Sequence, residues 1–196
     1  MRVISGTFRG LRLNAVPGNQ TRPTADKVKE SMFNMLGPYF DGGHALDLYA
    51  GTGALGIEAV SRGLTDAVLV DRQYAAVKTI HANVALTKQA ERFTVLKMSV
   101  TKAISHFAAN HQQFDLILMD PPYAQQHVLA QLAAFVSEQL VVPGGRVLVE
   151  TGLDVDYPEV IPGYTKIRRQ TYGVAQVLIL ELSLIHISEP TRLRCI

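Results

Sequence analysis

Cysteine is almost absent from this chain of 196 residues. The one cysteine, Cys195, is the penultimate residue. A single thiol cannot form a disulfide within the chain, and it cannot supply the ligands of a cysteine-based metal site. The sequence therefore excludes a disulfide framework, and stability must come from apolar packing. Hydrophobic residues make up 47% and charged residues 18%, which is typical of a globular protein with an ample core.

Metal-type histidine spacing and long apolar runs are also missing. The six histidines form no pattern such as His-x-x-x-His, so we predict no metal site; they are His44, His81, His106, His111, His127 and His186. No apolar run approaches the roughly 18 residues of a membrane span. The first six residues lack the apolar stretch of a signal peptide. We therefore expect a cytoplasmic protein that does not contact a membrane, and we expect a monomer.

Net charge is small in total, +2, but it is distributed unevenly. Residues 1–30 contain six basic and two acidic residues, a net of +4, so the remainder carries −2. The basic residues are Arg2, Arg9, Arg12, Arg22, Lys27 and Lys29. A basic segment on a near-neutral chain favours a phosphate-bearing partner. A solvated surface rich in arginine is the alternative.

From Gly42 onward, strand and helix patterns alternate. The predicted strands are 45–49, 67–71, 93–96, 114–119, 146–150, 164–169 and 174–182, and the predicted helices are about 53–62, 74–87, 101–110 and 128–140. Four strand–helix units predict parallel strands with right-handed crossovers. The last two strands are separated by only a short turn, so they must pair antiparallel. We predict an α/β fold: a doubly wound, mostly parallel seven-stranded sheet with the last strand antiparallel.

The two ends of the chain differ from this pattern. Segments 3–8 and 11–13 indicate a β-hairpin that turns at Arg9-Gly10. A helix follows and ends at Gly37-Pro38, with an apolar stripe at Val28, Met32, Met35 and Leu36. Residues 183–196 resemble the translation of sequencing-adapter or vector DNA, so we expect them to be non-native, Cys195 included. A genuine tail is the alternative.

A glycine-rich loop follows the first predicted strand of the alternating part. Gly51, Gly53 and Gly56 form a G-x-G-x-x-G pattern between a strand and a helix, which lets the backbone approach a ligand closely. Asp71 ends the next strand, where a carboxylate can accept both hydroxyls of a ribose. These features suit dehydrogenases and methyltransferases alike. Asp47 favours the methyltransferase over the dehydrogenase. A carboxylate beneath the loop suits the ammonium group of a methionine moiety, and it would be poorly placed beside the pyrophosphate of a dinucleotide.

Residues 120–123, Asp-Pro-Pro-Tyr, follow the apolar strand that ends at Met119. Two prolines fix the backbone and remove two N–H donors, which leaves carbonyl acceptors. Asp120 adds a charged acceptor and Tyr123 a flat face. The four residues therefore suit a planar group that carries an amine, such as a nucleobase. A strand-terminating turn is the alternative.

Together these motifs resemble class I S-adenosylmethionine-dependent methyltransferases that act on an exocyclic amine. Three further stretches, 4–10, 22–30 and 54–63, resemble the RsmD family, which methylates N2 of a guanine in bacterial 16S rRNA. The resemblance runs from Met1 to about Leu182. It implies a Rossmann-like fold, S-adenosylmethionine as cofactor, and 16S rRNA or the assembling 30S subunit as partner. It also implies an RNA-facing segment at 1–40 and a methyltransferase domain at 41–182. The expected non-native tail, 183–196, lies beyond the resemblance.

The resemblance assigns roles to individual residues. The catalytic residues are Asp120, Pro121, Pro122 and Tyr123. The cofactor-binding residues are Asp47, Tyr49, Gly51, Thr52, Gly53, Gly56, Asp71, Arg72, Ser99 and Val100. The basic charge of the N-terminal segment, and not the resemblance, selects the candidate RNA-binding residues. They are Arg2, Arg9, Arg12, Arg22, Lys27 and Lys29. Ser99 departs from the family pattern, which has an acidic residue there, and its hydroxyl is a weaker acceptor for the adenine amine.

The resulting hypothesis is methyl transfer to guanine N2. Asp120 accepts one N–H of the amine, the carbonyl of Pro121 accepts the other, and Tyr123 stacks on the base. The motif alone does not choose the base, so an adenine-N6 methyltransferase acting on DNA or RNA is the first alternative. An NAD-type dinucleotide-binding protein and a non-catalytic RNA-binding module are the others.

Overall fold

The computed structural model describes residues 1–17, 26–122 and 127–183. Arg22, Tyr123 and the predicted tail from residue 184 lie outside these ranges. The strands are β1 (His44–Asp47), β2 (Asp66–Asp71), β3 (Phe93–Lys97), β4 (Phe114–Met119), β5 (Val141–Gly152), β6 (Tyr164–Tyr172) and β7 (Ala175–Leu182). The helices are α1 (Asp26–Leu36), α2 (Ala54–Ser61), α3 (Tyr74–Leu86), α4 (Val100–Ala109) and α5 (Val128–Ser137), with a 3-10 turn at Ala90–Arg92. Each element predicted after residue 41 is present.

The strands form one sheet in the order β3-β2-β1-β4-β5-β7-β6. The strands β1 to β5 pair in parallel, whereas β7 runs antiparallel to both β5 and β6. The strand order reverses between β1 and β4, and α/β sheets bind ligands at the carboxyl ends of the strands beside such a reversal. The predicted fold class is therefore confirmed, and it locates the candidate site.

Apolar side chains form a separate core cluster on each face of the sheet. Helices α1, α2 and α3 cover one face, with Ile57 and Ile80 among the buried residues. Helices α4 and α5 cover the other face, where Phe107 and Phe135 are buried. Strands covered on both faces are apolar throughout, which is why the run 116–119 is so easily recognised. None of the described helices is long and apolar enough to cross a lipid bilayer.

The first 13 residues fold back on themselves and cover α2. The chain reverses near the predicted turn, but a single antiparallel bridge between Arg2 and Arg12 takes the place of two full strands. The Thr7 N–H donates to the carbonyl of Ser61 at 2.8 Å. At Gly6 the two backbones are so close that a Cβ would lie 1.7 Å from the Ser61 oxygen. Helix α2 is therefore buried on every side.

Glu58 of α2 is the acceptor at the centre of this contact, and it is 0% exposed. It accepts the backbone N–H of Ile4 at 2.8 Å and of Ser5 at 3.1 Å. Arg62 Nε donates to it at 2.8 Å, and Lys29 Nζ lies 3.2 Å from its Oε2. A buried charge is tolerated only when it is paired and hydrogen-bonded, and these donors meet that condition.

The prediction that Lys29 contacts RNA is wrong. Helix α1 buries Lys29, Met32, Phe33 and Leu36, whereas the predicted stripe members Val28 and Met35 are half-buried. The Lys29 side chain is 1% exposed, and its Nζ also donates to the carbonyl of Arg2 at 2.6 Å. Burial lowers the pKa of Lys29, although the charge of Glu58 opposes that shift. The side chain therefore anchors α1 to α2 instead of facing solvent.

The bounds differ most at β5, which begins at Val141 and not at 146. The predicted turn at 143–145 is present as an irregularity inside the strand, where the register with β4 shifts and Gly144 adopts φ 76°. Helix α5 ends at Ser137, before the predicted Leu140, because Gln139 adopts a left-handed φ of 55°. Neither difference moves the end of β4 that carries Asp120.

Candidate active site

The carboxyl ends of β1, β2 and β4 bring three aspartates together. Asp47, the last residue of β1, pairs with Leu69 of β2 and Leu118 of β4. Asp71 and Asp120 each lie two residues beyond those partners, so they flank Asp47 on its two sides. With strands about 4.8 Å apart, Asp71 and Asp120 are separated by about 10 Å across the sheet. This is an acidic edge at the strand-order reversal.

Asp47 is 1% exposed and faces the first turn of α2. Its Oδ2 accepts the backbone N–H of Gly56 at 3.1 Å. Burial raises the pKa of Asp47 to about 7, and the charges of Asp120 and Asp71 add to the rise, while the N–H groups of Gly56 and Tyr49 oppose it. A cation bound beside this carboxyl would favour its ionised form.

The second oxygen of Asp47, Oδ1, is fully buried and has no hydrogen-bond partner among the described residues. Buried polar atoms of native proteins are nearly always paired. An acceptor left in this state suits a donor on a bound molecule, and the ammonium of a methionine group is such a donor. The site therefore fits the predicted cofactor at this position.

The glycines of the loop are required by its geometry. Gly51 and Gly53 have φ of 55° and 79°, in the left-handed region that other residues rarely adopt. A Cβ on Gly56 would lie 2.1 Å from Leu69 Cδ2, so only glycine lets α2 pack this closely on β2. The third glycine of the pattern therefore serves helix–strand packing, as the motif predicts.

Asp71 holds the loop from the side of β2. Its Oδ2 accepts the Gly51 N–H at 2.9 Å and its Oδ1 accepts the Gln73 N–H at 2.8 Å. Each carboxylate oxygen has a second lone pair, so the half-buried carboxylate can still accept a ribose hydroxyl. Asp71 fixes the loop and remains available to a ligand.

Asn83 of α3 is a residue of the site that sequence reasoning missed. It is 0% exposed, and its Nδ2 donates to the carbonyl of Thr52 at 2.8 Å and to that of Asn14 at 3.1 Å. Its Oδ1 accepts the Asn14 N–H at 2.8 Å. One amide thus joins the glycine loop to the N-terminal segment. A polar residue inside a helix carries no local signal of such a contact.

Tyr49 and Arg72 lie on the two sides of the loop. The Tyr49 hydroxyl pairs with the side-chain amide of Gln131 in α5, with Gln131 Nε2 donating at 2.7 Å. Burial raises the pKa of Tyr49, while the Gln131 contact and the charge of Arg72 lower it. Arg72 itself is exposed at the end of β2. Tyr49 therefore connects β1 to the helix that follows the 120–123 motif.

Ser99 and Val100 follow β3 at the same edge of the sheet. Ser99 is the N-cap of α4, and its hydroxyl accepts the Lys102 N–H at a long 3.4 Å. It is exposed, whereas Val100 is half-buried against the core beneath α4. The Ser99 hydroxyl, which stands where the family pattern has an acidic residue, thus already accepts a hydrogen bond from the first turn of α4.

Asp120 lies directly after β4, with Pro121 buried and Pro122 exposed. Burial raises the pKa of Asp120 to about 6. The carboxylate is therefore more basic than that of an ordinary aspartate. Tyr123, predicted to stack on the base, lies outside the described residues, so its role stays a prediction.

The five predicted RNA-binding residues that the structure describes divide into an exposed group and one buried residue. Arg9, Arg12 and Lys27 are exposed, and Arg2 is 63% exposed while its Nε donates to Asp26 Oδ2 at 2.9 Å. Lys29 is buried, as described above. Four of the six residues therefore lie on the surface, and Arg22 is outside the described residues.

Two cavities of about 250 Å³ each are lined by none of the three aspartates. One is at the opposite end of the sheet, lined in part by Phe40, Asp115 and Arg146. The other lies between the start of α5 and Val155. The candidate site is at the carboxyl ends of the strands, where the three aspartates come together. Within residues 1–17, 26–122 and 127–183, no group of three or more histidine, cysteine or acidic side chains is arranged to hold a metal ion.

Two curated proteins are similar to this chain over most of its length. The Bacillus subtilis protein YlbH, named a putative rRNA methyltransferase, is 42% identical over 179 residues, which are 91% of this chain and 97% of YlbH. The Escherichia coli ribosomal RNA small subunit methyltransferase D is 27% identical over 173 residues, which are 88% of this chain and 85% of that protein.

Solved structures show the same relationship. A conserved hypothetical protein of Streptococcus pyogenes has a TM-score of 0.76 and 39% identity, covering 80% of this chain and 96% of its own. The Escherichia coli protein YhhF, named a putative methyltransferase, has a TM-score of 0.79 and 26% identity, covering 93% of this chain and 98% of its own. The family model described as "Conserved hypothetical protein 95" matches residues 1–181. The chain therefore belongs to that family, which is the RsmD family of methyltransferases.

Proposed function

We propose that this chain transfers a methyl group from S-adenosylmethionine to the exocyclic N2 amine of a guanine in bacterial 16S rRNA. The observation that carries the proposal is the position of Asp120 beside Asp47 and Asp71 at the strand-order reversal. Support for the substrate class comes from relatives in Escherichia coli and Haemophilus influenzae that are named ribosomal RNA small subunit methyltransferase D. Support for guanine N2 comes from the family resemblance of the N-terminal motifs.

Residues of β1 and β2 would hold the methyl donor. The unpaired Oδ1 of Asp47 accepts the ammonium, and Asp71 accepts the ribose hydroxyls. The backbone at Gly51 and Gly53 lets the cofactor lie against the loop. S-adenosylmethionine, when bound, supplies a methyl group activated by its positive sulfur.

Asp120 and Pro121 would hold the acceptor amine. The N2 lone pair of guanine is delocalised into the ring, so the amine is a poor nucleophile until it becomes pyramidal. Acceptors at Asp120 and at the Pro121 carbonyl favour that geometry and offset the positive charge that develops on nitrogen. As the N–C bond forms and the C–S bond breaks, nitrogen sheds a proton. Asp120, with its pKa raised to about 6, is a suitable acceptor.

The contact between Gly56 and Asp47 argues against the dinucleotide-binding alternative. The first turn of a helix attracts a pyrophosphate because its N–H groups are unpaired and its dipole is positive. Here the Gly56 N–H donates to the Asp47 carboxylate at 3.1 Å. The Asp47 carboxylate therefore already lies where a pyrophosphate would accept the N–H groups of the helix, and its charge would repel a pyrophosphate.

The basic N-terminal surface supports an RNA substrate. Arg2 and Arg12 are directly opposite in an antiparallel bridge, where like charges destabilise one another. Asp26 pairs with Arg2 and offsets part of this repulsion. Backbone phosphates would offset the rest, and Arg9 and Lys27 are exposed to add contacts. We place this reaction in the cytoplasm, on 16S rRNA or the assembling 30S subunit.

Mass spectrometry of nucleosides from 16S rRNA tests the proposal. The rRNA is taken from cells that lack the chain, from cells in which the chain is restored, and from cells that carry Asp120→Ala. We expect N2-methylguanosine at one position only when the wild-type chain is restored. The appearance of N6-methyladenosine in its place would establish the adenine alternative, and identical rRNA in all three strains would refute the proposal.

A further inference from the structure

Strand β6 presents an unusually basic edge. It is the outermost strand on its side of the sheet. Residues 164–172 contain Lys166, Arg168 and Arg169 but no acidic residue, and both arginines are exposed. In the described part of the chain, none of the three lies within ion-pairing distance of a carboxylate. Charged residues on edge strands commonly prevent pairing between molecules, so a binding role needs further observations.

The sheet register places Arg169 level with the candidate active site. Met119, which precedes Asp120, pairs with Val149 of β5. Val149 pairs with Leu178 of β7, and Leu178 pairs with Arg169. Three steps of about 4.8 Å place the Arg169 backbone about 14 Å from that of Met119. When the target base is bound at Asp120, the neighbouring nucleotides of the same RNA strand can extend far enough to contact Arg169.

Arg169 is held in position by a buried network. Its Nε donates to Gln176 Oε1 at 2.8 Å, and Gln176 is 1% exposed. Gln176 Nε2 in turn donates to the carbonyls of Gly152 at 2.8 Å and Val155 at 2.6 Å, at the carboxyl end of β5. A charge that only prevents aggregation needs no fixed direction. An arginine oriented by a buried amide is pre-organised to present its planar guanidinium group to a phosphate.

The second arginine extends the basic N-terminal surface. Arg168 pairs with Ile179, whose side chain belongs to the core cluster beneath α1. Side chains of directly paired residues lie on the same face of a sheet, so Arg168 is on the α1 face. The hydroxyl of Tyr172, at the end of β6, hydrogen-bonds Ser31 of α1. Helix α1 therefore connects the surface at Arg2 and Arg12 to β6.

We propose that the end of β6 nearest the site is a second RNA-contact surface, where Arg168 and Arg169 bind backbone phosphates of the rRNA next to the target base. This inference rests on the proposed rRNA methylation. The bound RNA would run from the N-terminal surface past Asp120 to β6. Contacts of this kind position the substrate but do not read its sequence.

The double variant Arg168→Glu/Arg169→Glu tests the inference, because it keeps the edge charged and still blocks pairing between sheets. Methylation is measured on small subunits from cells lacking the chain, as a function of salt. We expect KM to rise at least tenfold with kcat within twofold of wild type. The slope of log KM against log salt should become shallower by about 0.7–0.9 for each phosphate that the variant no longer binds. Affinity for S-adenosylhomocysteine, measured by calorimetry, should not change.

Lys166→Glu is the control on the same strand, with the same charge change per substituted residue. Lys166 pairs with Leu180 and lies farther from the site, and its Nζ donates to the carbonyl of Pro158. We expect its KM to stay within threefold of wild type. An unchanged KM in the double variant, or an equal rise in the control, would overturn the inference while wild-type methylation stands. Absence of wild-type methylation would instead refute the proposed function.

Discussion

The side chain of Asn83 donates to the backbone carbonyl of Thr52 at 2.8 Å, so a buried amide in α3 holds the glycine loop. The same group pairs with the backbone of Asn14 in both directions. The N-terminal segment, which carries the exposed arginines, is therefore attached to the loop that would contact the cofactor. The candidate RNA surface and the candidate cofactor site share this structural element.

Replacing Asn83 by alanine should weaken cofactor binding. The Thr52 carbonyl loses its partner, and the loop loses a fixed position. We expect the Kd of S-adenosylhomocysteine to rise about tenfold, equivalent to about 1.4 kcal/mol, as measured by calorimetry. Ser61→Ala is the control: Ser61 Oγ anchors the N-terminal segment through Ser5 and Phe8 without touching the loop. Equal effects of the two variants on this Kd would contradict the assignment.

Removing Glu58 should strongly destabilise the fold. Glu58→Ala leaves Lys29 and Arg62 buried without their carboxylate. We expect a loss of about 3–5 kcal/mol in the free energy of unfolding, measured with urea. Arg2→Ala, which breaks the exposed pair with Asp26, should cost less than about 1 kcal/mol. If both variants unfold at the same urea concentration, the buried ion pairs of Glu58 with Lys29 and Arg62 do not stabilise the fold more than an exposed pair does.

Asp47→Asn should raise the stability of the fold and lower its affinity for the cofactor. Burial raises the pKa of Asp47 from 3.8 to about 7, so the folded wild type retains a proton that the unfolded chain loses. Its stability therefore falls as pH rises from about 4 to about 7. The asparagine cannot ionise, yet its carbonyl can still accept the Gly56 N–H. We expect the thermal midpoint of the variant to exceed that of wild type increasingly between pH 4 and pH 8, while S-adenosylhomocysteine affinity falls. Parallel midpoint curves would exclude a buried ionising carboxyl.

Local patterns predicted much of this molecule. The run that ends at Met119, the aspartates that end β1 and β2, and the glycines between β1 and α2 are all recognised from neighbouring residues. A buried parallel strand is apolar throughout, and a tight loop needs glycine. The sheet and the acidic edge could therefore be predicted from the sequence alone.

Contacts between distant parts of the chain could not be predicted in this way. Lys27 and Lys29 lie two residues apart and look alike in the sequence, but only Lys29 is buried, because Glu58 of α2 lies beside it. Asn83 and Gln176 resemble ordinary polar residues of a helix and a strand. Their roles depend on Thr52 and Arg169, which are brought to them only by the tertiary fold.

Methyl transfer by Asp120→Asn is the measurement that tests the central claim most directly. The amide is close in size to the carboxylate but cannot accept a proton from N2. With small subunits from cells lacking the chain and labelled S-adenosylmethionine, we expect kcat to fall by at least about a hundredfold. The Kd of S-adenosylhomocysteine should stay within about threefold of wild type. In the wild type, activity should rise with pH through about 6, the pKa of Asp120. Undiminished turnover by the variant would contradict the account.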